Sequence, residues 1–183
     1  MEDQKMDNLA TITKPRPALY VGTYGKYNSG SIKGAWLYLD DYTDKADFHA
    51  ACKKLHADEI DPEFMFQDCD CIPNSLYSEG GLDDKIFEWL DLDDDEREYV
   101  QAYWDCVDPD AEIAAIKDAY QGTYECELQY MEEWIESTGM LSQIPEYLRH
   151  YFDAESYLRD RKINGDVNFA EGANYTVHAF GRV

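Results

Sequence analysis

No stretch of this sequence approaches the ~18 consecutive apolar residues of a membrane-spanning helix, so no transmembrane segment is expected. The polar N-terminus up to Arg16 lacks the apolar core of a secretory signal. Cysteine is sparse and odd in number. Cys52, Cys69, Cys71, Cys106 and Cys126 show no disulfide-framework spacing, and reduced thiols in a cytoplasm are expected. Asn174-Tyr175-Thr176 matches a glycosylation acceptor, which carries no weight without a secretory signal. Cys69-Asp70-Cys71 has no second Cys or His pair at zinc spacing. Asp91-x-Asp93-x-Asp95 opens like a calcium loop, but Glu96 stands where the turn glycine belongs. The glycines from Gly22 to Gly34 fit neither phosphate-binding pattern. His49, His56, His150 and His178 are scattered and form no triad or metal signature. Paired carboxylates of the glycosidase kind carry no information where acids are everywhere. No catalytic residue, metal or cofactor is therefore assigned.

Positive charge is the other scarcity. Against 39 Asp plus Glu stand 16 Lys plus Arg, a net of −23 on 183 residues. Charge of that size destabilises a compact state by self-repulsion, so something should offset it. Solubility, life in high salt and a strongly basic partner are the competing reasons. A disordered acidic tail is excluded by content: 44% of residues are hydrophobic and 14% aromatic, enough to build cores. The length fits one compact domain or two to three small ones.

Patterning suggests an α+β chain in three parts behind a leader over residues 1–16. In the first part, residues 17–75, Ala18 to Tyr24 and Ala35 to Leu39 read as strands separated by a glycine-punctuated loop. Thr43 or Asp44 can cap a helix running to about His56, and Glu63 to Asp68 suggests a third strand. Residues 76–118 look all-helical. One helix is expected from Ser78, one from Asp93 and one from Asp108-Pro109 as N-cap and first residue. Residues 119–183 look mixed. Gly122 to Cys126 suggests a strand, Glu127 to Thr138 an amphipathic helix closed by Gly139, and Ile144 to Asp160 one or two helices from Pro145. Val167 to Ala170 and Asn174 to Phe180 suggest a terminal hairpin.

The charge is uneven over these parts. Residues 1–75 hold 13 acids and 8 bases, residues 76–118 hold 15 and 3, and residues 119–183 hold 11 and 5. Half of the excess thus lies in the middle segment. Its acids are Glu79, Asp83, Asp84, Glu88, Asp91, Asp93, Asp94, Asp95, Glu96, Glu98, Asp105, Asp108, Asp110 and Glu112, with Asp118 at its end. One acid every two to three helical residues gives a charge every ~3–4.5 Å. A DNA strand carries one per ~3.4 Å. A channel lined with Lys and Arg would meet such a surface as a polyanion and gain the attraction and counterion release that DNA gives it. A merely solvated helical face is the plainer alternative. An acidic adaptor or chaperone for a basic DNA-binding protein is another, and a hydrolase with scattered carboxylates a third.

Two sequence stretches resemble a known family. Tyr20-Val21-Gly22-Thr23-Tyr24-Gly25-Lys26-Tyr27-Asn28, then Gly30, Gly34 and Trp36, resembles the opening strand and loop of the ArdA antirestriction proteins. Leu141, Ile144, Pro145, Tyr151, Phe152, Asp153, Tyr157, Arg159 and Asp160 follow that family's antirestriction motif, and Glu136-Ser137-Thr138-Gly139 fits the helix end before it. The resemblance covers residues 18–181. Ile144 stands where Val is more usual, and residues 1–16 have no counterpart in the family core.

The resemblance implies an elongated three-domain protein of mobile elements that binds Type I restriction–modification enzymes in place of DNA. It implies a homodimer formed through the motif region, an acidic surface curved like bent B-form DNA, no cofactor and no catalysis. No direct contact with nucleic acid or membrane is expected. Tyr147 and Leu148 add to the apolar residues of the motif, and Arg149, Arg159, Arg161 and Lys162 make it one of the few basic patches. That composition suits either a core helix pair or a dimer interface. Two chains of −23 carry −46, equal to the phosphate charge of roughly 80 Å of duplex at ~1.7 Å per charge.

Overall fold

The structure, a computed structural model, describes residues 15–182. The expected leader over residues 1–16 lies outside the described residues except for Pro15 and Arg16. Arg16 binds Asp40 at 2.6 Å, also meets Asp41, and lies 4.4 Å over the Tyr38 ring. The chain gathers into two compact units that divide between Phe87 and Glu88.

In the first unit, strand β1 (Ala18–Thr23) runs between β2 (Ala35–Tyr38) and β3 (Phe64–Asp70), antiparallel to both. A central strand loses both edges to neighbours, so β1 is the apolar one: Leu19 and Val21 are fully buried. Thr23 ends β1 and caps the short helix α1 (Tyr24–Asn28), its hydroxyl accepting from the Lys26 N–H. Helix α2 (Lys45–Leu55) starts behind Asp44, whose carboxylate accepts from the Asp47 N–H at 2.8 Å. Its Phe48 packs on Phe66 of β3 with ring centroids 6.0 Å apart.

The helix expected from Ser78 is replaced by a hairpin. Strands β4 (Tyr77–Ser78) and β5 (Gly81–Leu82) pair Tyr77 with Leu82, and the Glu79 carbonyl accepts from the Phe66 N–H at 2.7 Å. Gly80 and Gly81 favour that turn over a helix, and helix α3 begins only at Lys85, ending at Leu90. The middle segment is therefore not all-helical. Residues 76–87 fall in the first unit and 88–118 in the second.

In the second unit, α4 (Asp94–Cys106) and α5 (Ile113–Ala119) lie against a three-stranded antiparallel sheet. Its order is β6 (Tyr120–Tyr124), β8 (Val177–Gly181), β7 (Val167–Glu171). Tyr99, Val100, Tyr103 and Trp104 form the buried stripe of α4, and Tyr103 meets Phe180 of β8 edge-on at 4.8 Å. Asp108-Pro109 starts no helix. The Asp108 carboxylate accepts from the Asp110 N–H at 3.0 Å, and buried Trp104 donates to the Ala111 carbonyl at 2.9 Å. These bonds hold a turn, and α5 starts behind Glu112 instead. Helix α6 (Glu127–Thr138) ends at Gly139, whose φ of +62° is the left-handed cap that glycine takes without strain. Residues Glu146–Tyr151 form a 3-10 helix behind Pro145 and α7 (Ala154–Ile163) follows Asp153, two helices over the stretch where one or two are expected. Tyr130, Met131 and Ile135 of α6 pack with Leu158 of α7, Val167 and Ala179.

Candidate functional site

Helix α4 presents acids because its other face is spoken for. With Tyr99, Val100, Tyr103 and Trp104 turned inward, Asp94, Glu98 and Asp105 fall on the opposite side at spacings of four and seven. Of the fourteen acids singled out in the middle segment, thirteen are exposed and Glu96 is half-buried. From Asp93 to Asp105 there are six carboxylates and one guanidinium, a net of −5 over ~18 Å of helix. That is one charge per ~3.6 Å, close to the ~3.4 Å of a DNA strand.

Some of these acids hold the fold. Asp93 and Glu96 make a capping box: the Asp93 side chain accepts from the Glu96 N–H at 2.8 Å, and Glu96 accepts from the Asp93 N–H at 3.3 Å. Asp94 and Asp95 in the same first turn complement the positive end of the helix dipole. Lys117 of α5 lies 2.5 Å from Glu96, which holds its ammonium above the usual lysine range. Glu98 accepts from the Ala173 N–H at 2.8 Å and stands 3.4 Å from His178 Nε2. In the first unit, Lys45 lies 2.6 Å from Asp84 and lowers its carboxyl below the usual range. Arg97 lies within the acidic run yet is turned away from it. Its guanidinium donates to the Trp89 and Leu90 carbonyls and stacks 4.9 Å over the Trp89 ring.

The antirestriction-motif residues divide in two. Leu141, Phe152 and Tyr157 pack against the core of the second unit, with Phe152 edge-on to Tyr157 and Tyr157 near Trp134. Asp153 caps α7, accepting from the Ser156 N–H at 2.9 Å and hydroxyl at 2.6 Å, bonds that depress its carboxyl. Arg159 reaches the same hydroxyl at 3.2 Å, and the half-buried Ile144 gives its carbonyl to Arg149 at 3.0 Å. Pro145, Tyr147, Tyr151, Arg159 and Asp160 face outward. Tyr147 is 71% exposed and Tyr151 75%, with Leu148 beside them. Next to this patch Ile135, Leu141, Arg149 and Phe152 line an open cleft of about 450 Å³.

One constellation was not legible from spacing. His56, Asp58 and Glu59 bring ligand atoms within 4.8 Å of one another. The Lys26 ammonium stands among them, 2.8 Å from His56 Nδ1, 2.8 Å from Asp58 and 3.2 Å from Glu59. Thr23 donates to Glu59 at 2.8 Å, and buried His56 turns Nε2 to the Val21 carbonyl. The lysine fills the place a metal cation would take, so the cluster reads as a structural tie between α1 and the end of α2. Nothing in the sequence pairs residue 26 with residues 56–59. Among the described residues no helix is long and apolar enough to cross a membrane.

Comparison with curated proteins finds no match. The sequence profile of the antirestriction protein family ArdA matches residues 19–175, from the first residues of β1 to the turn before β8. That span takes in the acidic helix and the whole motif region. The chain belongs to the ArdA family of antirestriction proteins.

Proposed function

We propose that the protein inhibits Type I restriction–modification enzymes by occupying their DNA-binding channel, and so protects incoming DNA from restriction. The observation that carries this reading is the exposed carboxylate run of α4, with a linear charge density near that of a DNA strand on a folded scaffold. A channel built to neutralise phosphates gains from such a surface the same salt-dependent attraction that it gains from DNA. No step of bond-making is required, and the acids of both units contribute to the field.

We also read the active form as a homodimer. Tyr147, Leu148 and Tyr151 leave a large apolar area in water, of the kind that marks interaction sites. They lie in a stretch of balanced charge, with four acids and four bases over residues 137–165, where two strongly negative copies repel less. Tyr147→Ser with Tyr151→Ser should give a monomer in sedimentation equilibrium, while the wild type sediments as a dimer. A monomeric wild type would remove this part of the reading.

The test of inhibition is displacement. The protein is titrated into a Type I restriction enzyme already holding labelled DNA, at two salt concentrations. Release of DNA that weakens steeply as salt rises is the expected result. A ternary complex that keeps its DNA would point to an acidic adaptor instead. Release that is indifferent to salt would remove charge as the cause.

A further inference from the structure

The first unit carries a cleft outside the acidic helix and outside the motif. It has a volume of about 550 Å³. Tyr20, Tyr27 and Tyr77 supply ring surface, Ile32, Gln67 and Glu79 stand beside them, and β3 contributes Met65 and Phe66. Tyr27 is 52% exposed and Ile32 74%, so apolar surface stands open to water there.

Tyr20, Tyr77, Glu79 and Gln67 are each placed by a local contact. The Tyr20 hydroxyl donates to the Ile32 carbonyl at 3.1 Å, which ties the loop after α1 to β1. The Tyr77 hydroxyl accepts from the Cys69 thiol at 2.9 Å. The Glu79 carbonyl accepts from the Phe66 N–H, which places that exposed residue beside β3. Gln67 lies over Gly22, where a Cβ would stand 2.9 Å from its side-chain carbon and oxygen, so the glycine makes room for the amide.

The chemistry of the wall is one-sided. It offers tyrosine rings and one acid, Glu79, and among the described residues no Lys, Arg or His lines it. The nearest cations in sequence, Lys26 and Lys33, are turned to Asp58 at 2.8 Å and 3.8 Å. Aromatic faces attract cations, and a guanidinium also stacks flat on a ring while giving its N–H groups to a carboxylate. An ammonium is more strongly hydrated and has no plane to stack, so it fits this wall less well.

We infer that this cleft is a receptor for one arginine side chain of a binding partner, held between the tyrosine rings and bonded to Glu79. The inference rests on the proposed function only for the source of that arginine, which would be the phosphate-binding wall of the restriction enzyme. It adds to the distributed attraction one anchored contact, which sets register where charge alone does not.

The test on the full chain uses N-acetyl-arginine amide, with N-acetyl-norleucine amide as the apolar control, followed by the ring resonances of Tyr20, Tyr27 and Tyr77 in NMR. Saturable shifts of those rings with the arginine compound alone are expected. Tyr27→Ala should weaken binding about two- to fivefold, Tyr27→Phe should restore it, and Glu79→Gln should weaken it by a similar factor. Shifts spread over the acidic surface without these rings, or an unchanged titration in Tyr27→Ala, would overturn the inference. Tyr27→Ala alters no charge, so a two- to fivefold loss of inhibition by this variant upholds the anchor in the complex. Arginine binding with no effect of Tyr27→Ala on inhibition upholds the receptor and overturns the restriction enzyme as its source.

Discussion

Replacing Glu88→Gln, Asp91→Asn, Asp95→Asn and Asp105→Asn together removes four charges and almost no volume. All four side chains are exposed, and among the described residues no lysine or arginine pairs with them. The net charge falls from −23 to −19. If each carboxylate meets one cation of a basic channel in a solvent-exposed pair, each contributes about 0.5 kcal/mol, within the measured range for such pairs. Four sum to about 2 kcal/mol, or roughly 30-fold in the concentration needed to release DNA from a Type I enzyme. Raising ionic strength from about 0.1 M to about 1 M shortens the screening length from ~10 Å to ~3 Å, so the gap between wild type and variant should close with salt. The urea midpoint should change little, because relief of self-repulsion offsets the loss of Asp95 from the first turn of α4. The four single variants should each lose about twofold and combine additively, as separated surface sites do. The reasoning is refuted if the quadruple variant releases DNA as well as the wild type does. It is equally refuted if one single variant accounts for the whole loss.

Three further outcomes follow from particular contacts. Asp93→Ala should cost about 1 kcal/mol in urea unfolding by removing the α4 cap, whereas Asp93→Asn, which caps as well, should cost little. Burial pushes the Cys52 thiol up to about 12, so in the native protein Cys52 should resist iodoacetamide while exposed Cys71, Cys106 and Cys126 react, as read by mass spectrometry. Burial first, and Lys45 and Lys53 after it, hold the His49 imidazole below its ordinary range. A histidine favoured neutral in the fold contributes stability above about pH 6.5 that is lost as pH falls through its folded value. The urea midpoint of the wild type should therefore drop from about pH 7 to about pH 5.5, and the drop should be smaller in His49→Leu.

The elements legible in the sequence were those whose signals are local. The Asp44 cap, the Tyr- and Val-rich run of Ala18 to Tyr24 and the Gly139 stop each act within a few residues, and each element stands within a residue or two of its reading. Failures came where a distant partner decides. Leu82 and Ile86 suit a helix by spacing, yet Leu82 is taken by a hairpin that β3 holds through the Glu79 carbonyl. Asp108-Pro109 is a good helix start in isolation, yet Trp104 takes the Ala111 carbonyl and keeps the segment turned. The Lys26–His56–Asp58 tie and the tyrosine cleft join residues 30 or more positions apart, and no periodicity reports them. The family resemblance rested on short runs whose residues prove to have separate duties. Phe152 and Tyr157 pack, Asp153 caps, and Tyr147 and Tyr151 are left in water.

The acidic excess divides in a similar way, and the division explains why a surface of this kind has no short signature. Asp44, Asp93 and Asp153 are carboxylates spent on helix starts, Glu96 holds Lys117, and Asp58 and Glu59 hold Lys26. Each is fixed in place by a partner within its own unit, so its loss should appear first in stability. Glu88, Asp91, Asp95 and Asp105 have no such cation partner among the described residues, and apart from Asp95 at the start of α4 the fold gains nothing evident from their charge. A basic channel responds to the field of the second group, which depends on the number and spacing of charges rather than on any one position. Acids of that group can move along an exposed helix face with little cost, whereas the caps cannot. Sequence similarity in such a protein should therefore concentrate at caps, cores and the aromatics of the motif, while a surface that acts through its field need be held only as a charge density.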